Sequence, residues 1–476
     1  MTKRTKWLLA TAGVAVVIAF SIYLFTRENP AYINAAKGLE QAKKNAVRSF
    51  GTLTWEEYRA ERGIETRDDS DAWEEIKRTV PVVVYNYSYP DPGDTGLKAA
   101  FLADRSWFVT IGDRIDGLTI QHVYDPKYKQ WSRRSSITNY SVHRALQNGV
   151  IGAADAGDIE AVRRITQAEW SLIEKERSET DWSSYLITEA MISVFERALL
   201  VAVVRNRNNP DVLDEIRNGL QNWPRMPSLA DSFAGDVRSE SHTLDELRGL
   251  EPWEIDQWLD DRLLHIQELL SIWKRRTPSE QLESDFGFAK TRVRNVFRGT
   301  GPHTLDALNA RYWEMAVEFH DAMDGFEQDR SKSRKQVFAA GAIMFDKNDV
   351  SYELAKMVLG LNFYVATSQL SVHRVFWRES GPRRVAVEMI WRFPEYESLP
   401  DELPQDLLFA DSYGGGDVLY RKTSAGFVIY SRGENKIDDG FVETEPGLFR
   451  ESDVRTISIG KDYGLVVCYD PIVPVP

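Results

Sequence analysis

Nineteen consecutive residues, Trp7 to Phe25 (WLLATAGVAVVIAFSIYLF), carry no charge. A helix of that length spans about 30 Å, the thickness of a bilayer's hydrocarbon core. Lys3, Arg4 and Lys6 precede the run. A basic flank of this kind favours the cytoplasmic side, so the expected topology is single-pass: residues 1–6 a cytoplasmic tail, 7–25 a transmembrane helix, and the rest of the chain extracytoplasmic. Trp7 and Tyr23 lie near the two ends, where amphipathic rings favour the interface. The competing reading is a cleaved signal peptide. Such a peptide has a shorter apolar stretch ending in small residues, whereas this run ends in Ile22-Tyr23-Leu24-Phe25. The expectation is therefore a retained signal anchor in the cell membrane.

Charge and cysteine usage narrow the function classes. The chain of 476 residues has a net charge of −13; residues 1–25 contribute +3, which leaves −16 on the remainder. A body that acidic repels phosphate backbones, so nucleic acid is not an expected partner. The stretch with Arg292, Arg294 and Arg298 is the best candidate for a basic patch, and a solvated helix face explains it better. Cys468 is the single cysteine. It can form no intrachain disulfide, and four-cysteine zinc sites are excluded by count. Trp, Tyr and Phe together make up 11% of the chain, which argues for a folded body rather than a disordered one.

The periodicities predict a mainly α protein with a small C-terminal antiparallel β meander, α+β overall. Residues 26–135 read as a membrane-proximal region, helical at first and then mixed. Ala35 to Phe50 is an amphipathic helix stopped by Gly51. Thr54 opens another with Glu56 and Glu57 in its first turn, where acids suit the helix dipole. Asp69 or Ser70 caps a third that ends before Pro81. Val82 to Tyr85 and Leu118 to Ile120 are β-prone, leaving a small β element and an ordered loop as open alternatives for 82–135. Residues 136–395 read as a helical domain. Asp158 to Lys175, Ser183 to Arg205, a segment opening at Glu251-Pro252, Thr304 to Met323 and Val350 to Ser380 all carry apolar residues at three- and four-residue steps. Residues 396–476 alternate short strands with Gly, Asp and Asn turns. No repeat of fixed period is evident.

Catalytic signals are sparse. The seven histidines form no metal-binding pair one helical turn apart, and no nucleophile elbow or phosphate-cradling glycine loop occurs. Glu314, Glu318, His320 and Asp321 share one helix, and Glu314, Glu318 and Asp321 share a face. Clustered carboxylates can shift one another's pKa and exchange protons; they also form the wet face opposite Tyr312, Met315 and Phe319. Ser239, Ser241 and His242 lie near Asp245, although Thr243 followed by Glu246 is a helix-capping pattern. No residue is assigned a catalytic role, and no cofactor is required.

The loop after the strand Gly426 to Tyr430 is the clearest local signal: Ser431-Arg432-Gly433-Glu434-Asn435-Lys436-Ile437-Asp438-Asp439-Gly440. Oxygen-bearing side chains set among glycines suit calcium, with Asn435, Asp438 and Asp439 as the ligand candidates. A hairpin turn accounts for the same Asp-Gly chemistry.

The region from Leu399 to Gly440 also carries a resemblance. Leu403-Pro404-Gln405-Asp406, Val418-Leu419-Tyr420-Arg421, Gly426-Phe427-Val428-Ile429-Tyr430-Ser431, Gly433, Asn435 and Asp438-Asp439-Gly440 resemble a C-terminal pattern of uncharacterised, membrane-anchored proteins of planctomycete-type bacteria. The pattern is similar to the C-terminal meander of the major pseudopilins of type II secretion, in which the corresponding loop binds calcium. Two positions depart from it: Phe441 follows where a glycine is usual, and Asp406-Leu407-Leu408 stands where Asp-Pro-Phe is usual. No glutamate occurs before Glu28, so the N-terminus lacks a prepilin pattern. The resemblance implies an envelope or secretion-linked setting and carries no established activity. The expected function is a membrane-anchored, non-enzymatic envelope scaffold or interaction protein with an envelope or secretion-system protein partner. The alternative is a membrane-tethered hydrolase of envelope polymers.

Overall fold

The computed structural model describes residues 30–62, 69–81, 96–119, 122–125, 130–133, 136–178, 182–221, 228, 230–235, 237, 238, 254, 257, 302–328, 381–411, 416–433, 436–439, 454–459 and 462–469. The chain divides into two compact units. The first takes Met1–Leu53, Leu244–Glu318 and Met344–Gly360, and the second takes Thr54–Thr243, Phe319–Ile343 and Leu361–Pro476. The predicted span at 7–25, the basic stretch at 292–298, Ser239, Ser241, His242, Asp245 and the segment from Val350 to Ser380 lie outside the described residues. Among the described residues, no helix is long and apolar enough to cross a membrane.

In the first unit, helix α1 (Pro30–Phe50) buries Leu39, Ala42, Ala46 and Phe50, the three- and four-residue spacing of one helical face. Gly51, at φ 77°, ends it. Phe50 and Trp313 stand 6.4 Å apart, ring centre to ring centre.

The second unit is built from helix pairs and one sheet. Helix α2 (Trp55–Arg62) starts as expected at Thr54, whose hydroxyl accepts from the Glu57 N–H at 3.2 Å. Helix α3 (Ser70–Thr79) follows. Asp69 precedes it without capping it: its Oδ2 accepts from the backbone N–H (2.7 Å) and the hydroxyl (2.9 Å) of Thr119.

Two helices occupy the stretch read as a β element or loop, α4 (Gly96–Ala103) and α5 (Arg105–Asp116). The β-branched and aromatic run Trp107 to Ile111 has strand-like local preference. Burial of Phe108, Ile111 and Ile115 against neighbouring helices overrides it. A short antiparallel pair, β1 (His122–Asp125) with β2 (Gln130–Arg133), completes that stretch.

Four more helices follow: α6 (Ser136–Asp155), α7 (Ile159–Ser178), α8 (Trp182–Arg205) and α9 (Pro210–Gln221). Taken in pairs, α4–α5, α6–α7 and α8–α9 are three successive helix–turn–helix units, of which α6–α7 packs most extensively on itself. The first helices of the units pack on one another (α4 on α6, α6 on α8), and so do the second helices (α5 on α7, α7 on α9). Each unit thus contacts the next, as neighbouring units do in a helical stack, and the units differ too much in length to leave a fixed period in the sequence.

The two later turns use the same chemistry. Asp158 Oδ1 accepts from Ala161 N–H at 3.1 Å, and Asn209 Oδ1 accepts from Val212 N–H at 3.4 Å. Gly157, at φ 69°, supplies the left-handed turn before α7. Pro210 opens α9 at the first helical position. Asp155 ties the two helix pairs together, accepting from Asn206 Nδ2 at 3.1 Å and from Arg205 at 3.4 Å. Gly152 lets α4 approach α6 closely: a Cβ there would lie 2.5 Å from the carbonyl oxygen of Leu97.

After α10 (Pro302–Gln328), helix α11 (Gly381–Arg392) packs on α8 and α9 and carries the chain to the sheet. Strands β3 (Leu419–Lys422), β4 (Gly426–Ser431), β5 (Val454–Ile459) and β6 (Asp462–Cys468) form an antiparallel sheet in the order β3-β4-β6-β5. The strands stand where the sequence places them, but the sheet is not a sequential meander. The two hairpins join through β4 and β6, the strands buried on both faces, while β5 takes the edge. Phe427, Ile429, Leu465 and Val467 share one continuous core with the helices; Val428, Tyr430, Val466 and Cys468 form a second cluster on the other face. The β module expected at 396–476 therefore shares its core with the helices.

Candidate functional site

Two buried ion pairs cross the helical layers. His143 on α6 and Glu169 on α7 meet at 2.5 Å between Nδ1 and Oε1, with side chains 1% and 0% exposed. Each sits in a mixed buried face: Leu146 and Gln147 lie one turn from the histidine, and Ile165, Thr166, Leu172 and Ile173 lie one turn from the glutamate. Burial pushes the Glu169 carboxyl above its ordinary range, and the adjacent imidazole opposes that shift. On α8, Glu196 accepts from the guanidinium of Arg383 on α11, and Arg383 also donates to Ser193 Oγ at 2.7 Å. Among the described residues, Glu169 Oε2 and Glu196 Oε1 are buried with no hydrogen-bond partner. Both pairs are enclosed in the core and each joins two helices. Sequence reasoning did not single out His143 or Glu169, because other polar residues share their helical faces: Gln147 with the histidine, Thr166 and Glu176 with the glutamate.

The accessible feature is a groove between α7 and α9, about 410 Å³ in volume. Arg163, Gln167 and Ser171 line it from α7 at four-residue steps, with Thr166 and Trp170 on the adjoining row; Glu215, Asn218 and Gly219 face them from α9. Gly219 keeps the floor narrow, since a Cβ there would stand 3.2 Å from Thr166 Cγ2. Arg163 makes a forked pair with Glu215, 3.2 Å to Oε1 and 2.7 Å to Oε2. Trp170 is half-buried and packs against the core. Gln167 and Asn218 are exposed, and among the described residues their side-chain amides make no hydrogen bond. Sequence reasoning missed this groove, because its polar residues read as the solvated sides of amphipathic helices.

The residues singled out earlier are dispersed. Glu314 and Asp321 are exposed on α10, while Glu318 and His320 are half-buried. His320 Nδ1 lies 3.3 Å from Asp321 Oδ1. In the 431–439 loop, Ser431 Oγ accepts from Gly433 N–H at 3.1 Å, and Tyr430 donates to the Asp438 carboxylate at 3.4 Å. Gly433 (φ 66°) and Lys436 (φ 58°) turn the backbone. Asp438 and Asp439 are exposed; Asn435 lies outside the described residues. Among the described residues, no three His, Cys, Asp or Glu side chains gather as a metal site. No family model, curated protein or solved structure matches the chain.

Proposed function

We propose that this chain is a membrane-anchored, extracytoplasmic scaffold that presents stacked helix pairs to a protein partner in the cell envelope. One observation carries the reading: α4–α5, α6–α7 and α8–α9 stack first helix on first and second on second. Stacks of this kind present extended binding surfaces, built from the faces their repeats leave toward solvent. The uncharged run at 7–25 supports the anchor, and the likeness of Leu399 to Gly440 to planctomycete-type and pseudopilin C-termini supports an envelope or secretion-linked partner. The buried pairs fit this role, because they join helices inside the core and leave the surface free for contacts. Within this reading the 431–439 loop is a turn at the end of β4; a calcium site built from Asn435, Asp438 and Asp439 is the alternative.

The test is lysine-reactive crosslinking of the tagged full-length chain in intact cells, followed by purification in detergent. The expected result is a defined adduct with one envelope protein. Recovery of the chain without any protein adduct, at labelling levels that modify its exposed lysines, overturns the scaffold.

A further inference from the structure

We propose that the α7–α9 groove binds an extended, uncharged peptide segment of the partner protein; the inference rests on the scaffold reading above. Three properties of the groove select this occupant. The first is its polar chemistry. A side-chain amide offers one acceptor and one donor face, which matches the C=O and N–H of a peptide unit, and Gln167 and Asn218 present two such amides from opposite walls. The second is charge. Arg163, the cation lining the groove, is held by Glu215 in a forked pair, so the groove offers no uncompensated charge. A segment bearing Lys, Arg, Asp or Glu would lose hydration there without gaining an ion pair. The third is Trp170, which packs on the core and lines the groove. A tryptophan held in place provides contact area at low entropic cost and is the commonest kind of binding anchor.

The dimensions agree. Positions 163 to 171 on α7 span about 12 Å of helix axis, which accommodates about four residues of extended chain at ~3.3 Å each.

The experiment places a photoreactive amino acid at Ser171 in the full-length chain, in intact cells, with the same group at exposed Glu74 as control. Adducts are mapped by mass spectrometry and compared with those formed when Gln167→Ala and Asn218→Ala are both present. Both residues are exposed, so the substitutions leave folding intact. The expected result is an adduct from Ser171 on a short run of partner residues without charge, with a yield at least tenfold lower in the double variant. Three results overturn the proposal: no adduct above the Glu74 control, an adduct on glycan or lipid, or a peptide adduct whose yield the double variant leaves unchanged. A partner captured by lysine crosslinking but never from Ser171 refutes the groove alone. Absence of a partner in both experiments refutes the scaffold as well.

Discussion

His143 and Glu169 are the pair whose removal reports most about the helical stack. Their side chains are 1% and 0% exposed, and their contact of 2.5 Å joins α6 to α7. Deleting one member of such a pair leaves the other buried without compensation, which costs about 3–5 kcal/mol. Replacing both by apolar residues of similar volume is near neutral or stabilising by about 1–4 kcal/mol. His143→Leu and Glu169→Met alone should therefore each raise the opening of α6 and α7 by about two to four orders of magnitude. The double variant should restore protection to at least the wild-type level. Hydrogen exchange of peptides from Ser136 to Ser178 in the full-length chain reads this directly, because it resolves local opening in a two-unit protein. A single substitution that changes exchange less than threefold would refute the reasoning, as would a double variant as unprotected as either single one. pH adds a sign. The Glu169 carboxyl is raised in the fold, so its contribution is complete below its ordinary pKa of about 4.3 and is lost as pH rises toward the folded value. Protection of α7 should fall over that window, and Glu169→Gln should flatten its share of the slope.

Gly152→Ala places a Cβ 2.5 Å from a backbone carbonyl and 2.7 Å from Phe101 Cβ; overpacking of about 1–3 kcal/mol should outweigh the ~1 kcal/mol gain in helix propensity and lower the thermal midpoint. Asp158 caps α7 and meets Arg105 at 2.5 Å; Asp158→Ala should cost about 1–2 kcal/mol, read as faster exchange at Ile159 to Arg163. Arg105 holds the Asp158 carboxyl below its ordinary range, so that contribution should persist above an ordinary carboxylate pKa and disappear as acid titrates the folded group. For the 431–439 loop, millimolar calcium should leave the melting temperature of the wild-type chain unchanged; a rise abolished by Asp438→Asn would instead assign an ion site.

Much of the fold was legible because burial leaves a period. Leu39, Ala42, Ala46 and Phe50 announced α1, Thr54 its successor's start, and the β-branched and aromatic runs at 427–430 and 465–469 their strands. Helices α4 and α5 were not legible. Gly96 to Ala103 is apolar nearly all round, and Trp107 to Ile111 prefers extended backbone until neighbouring helices bury it. Sheet order was equally hidden, because alternation tells which strands are buried and not which pair, so the β4–β6 contact emerged only in three dimensions. The groove was invisible for a related reason: Gln167 and Asn218 lie 51 positions apart and become neighbours only when the second and third helix pairs stack.

Hydroxyl-radical footprinting tests the central claim most directly. Trp170 lines the groove and Trp391, 37% exposed, sits on α11 outside its lining. Docking of a partner predicts strong protection of Trp170 in native membranes relative to the purified chain, with Trp391 oxidised equally in both. Equal oxidation of Trp170 in the two samples would contradict it.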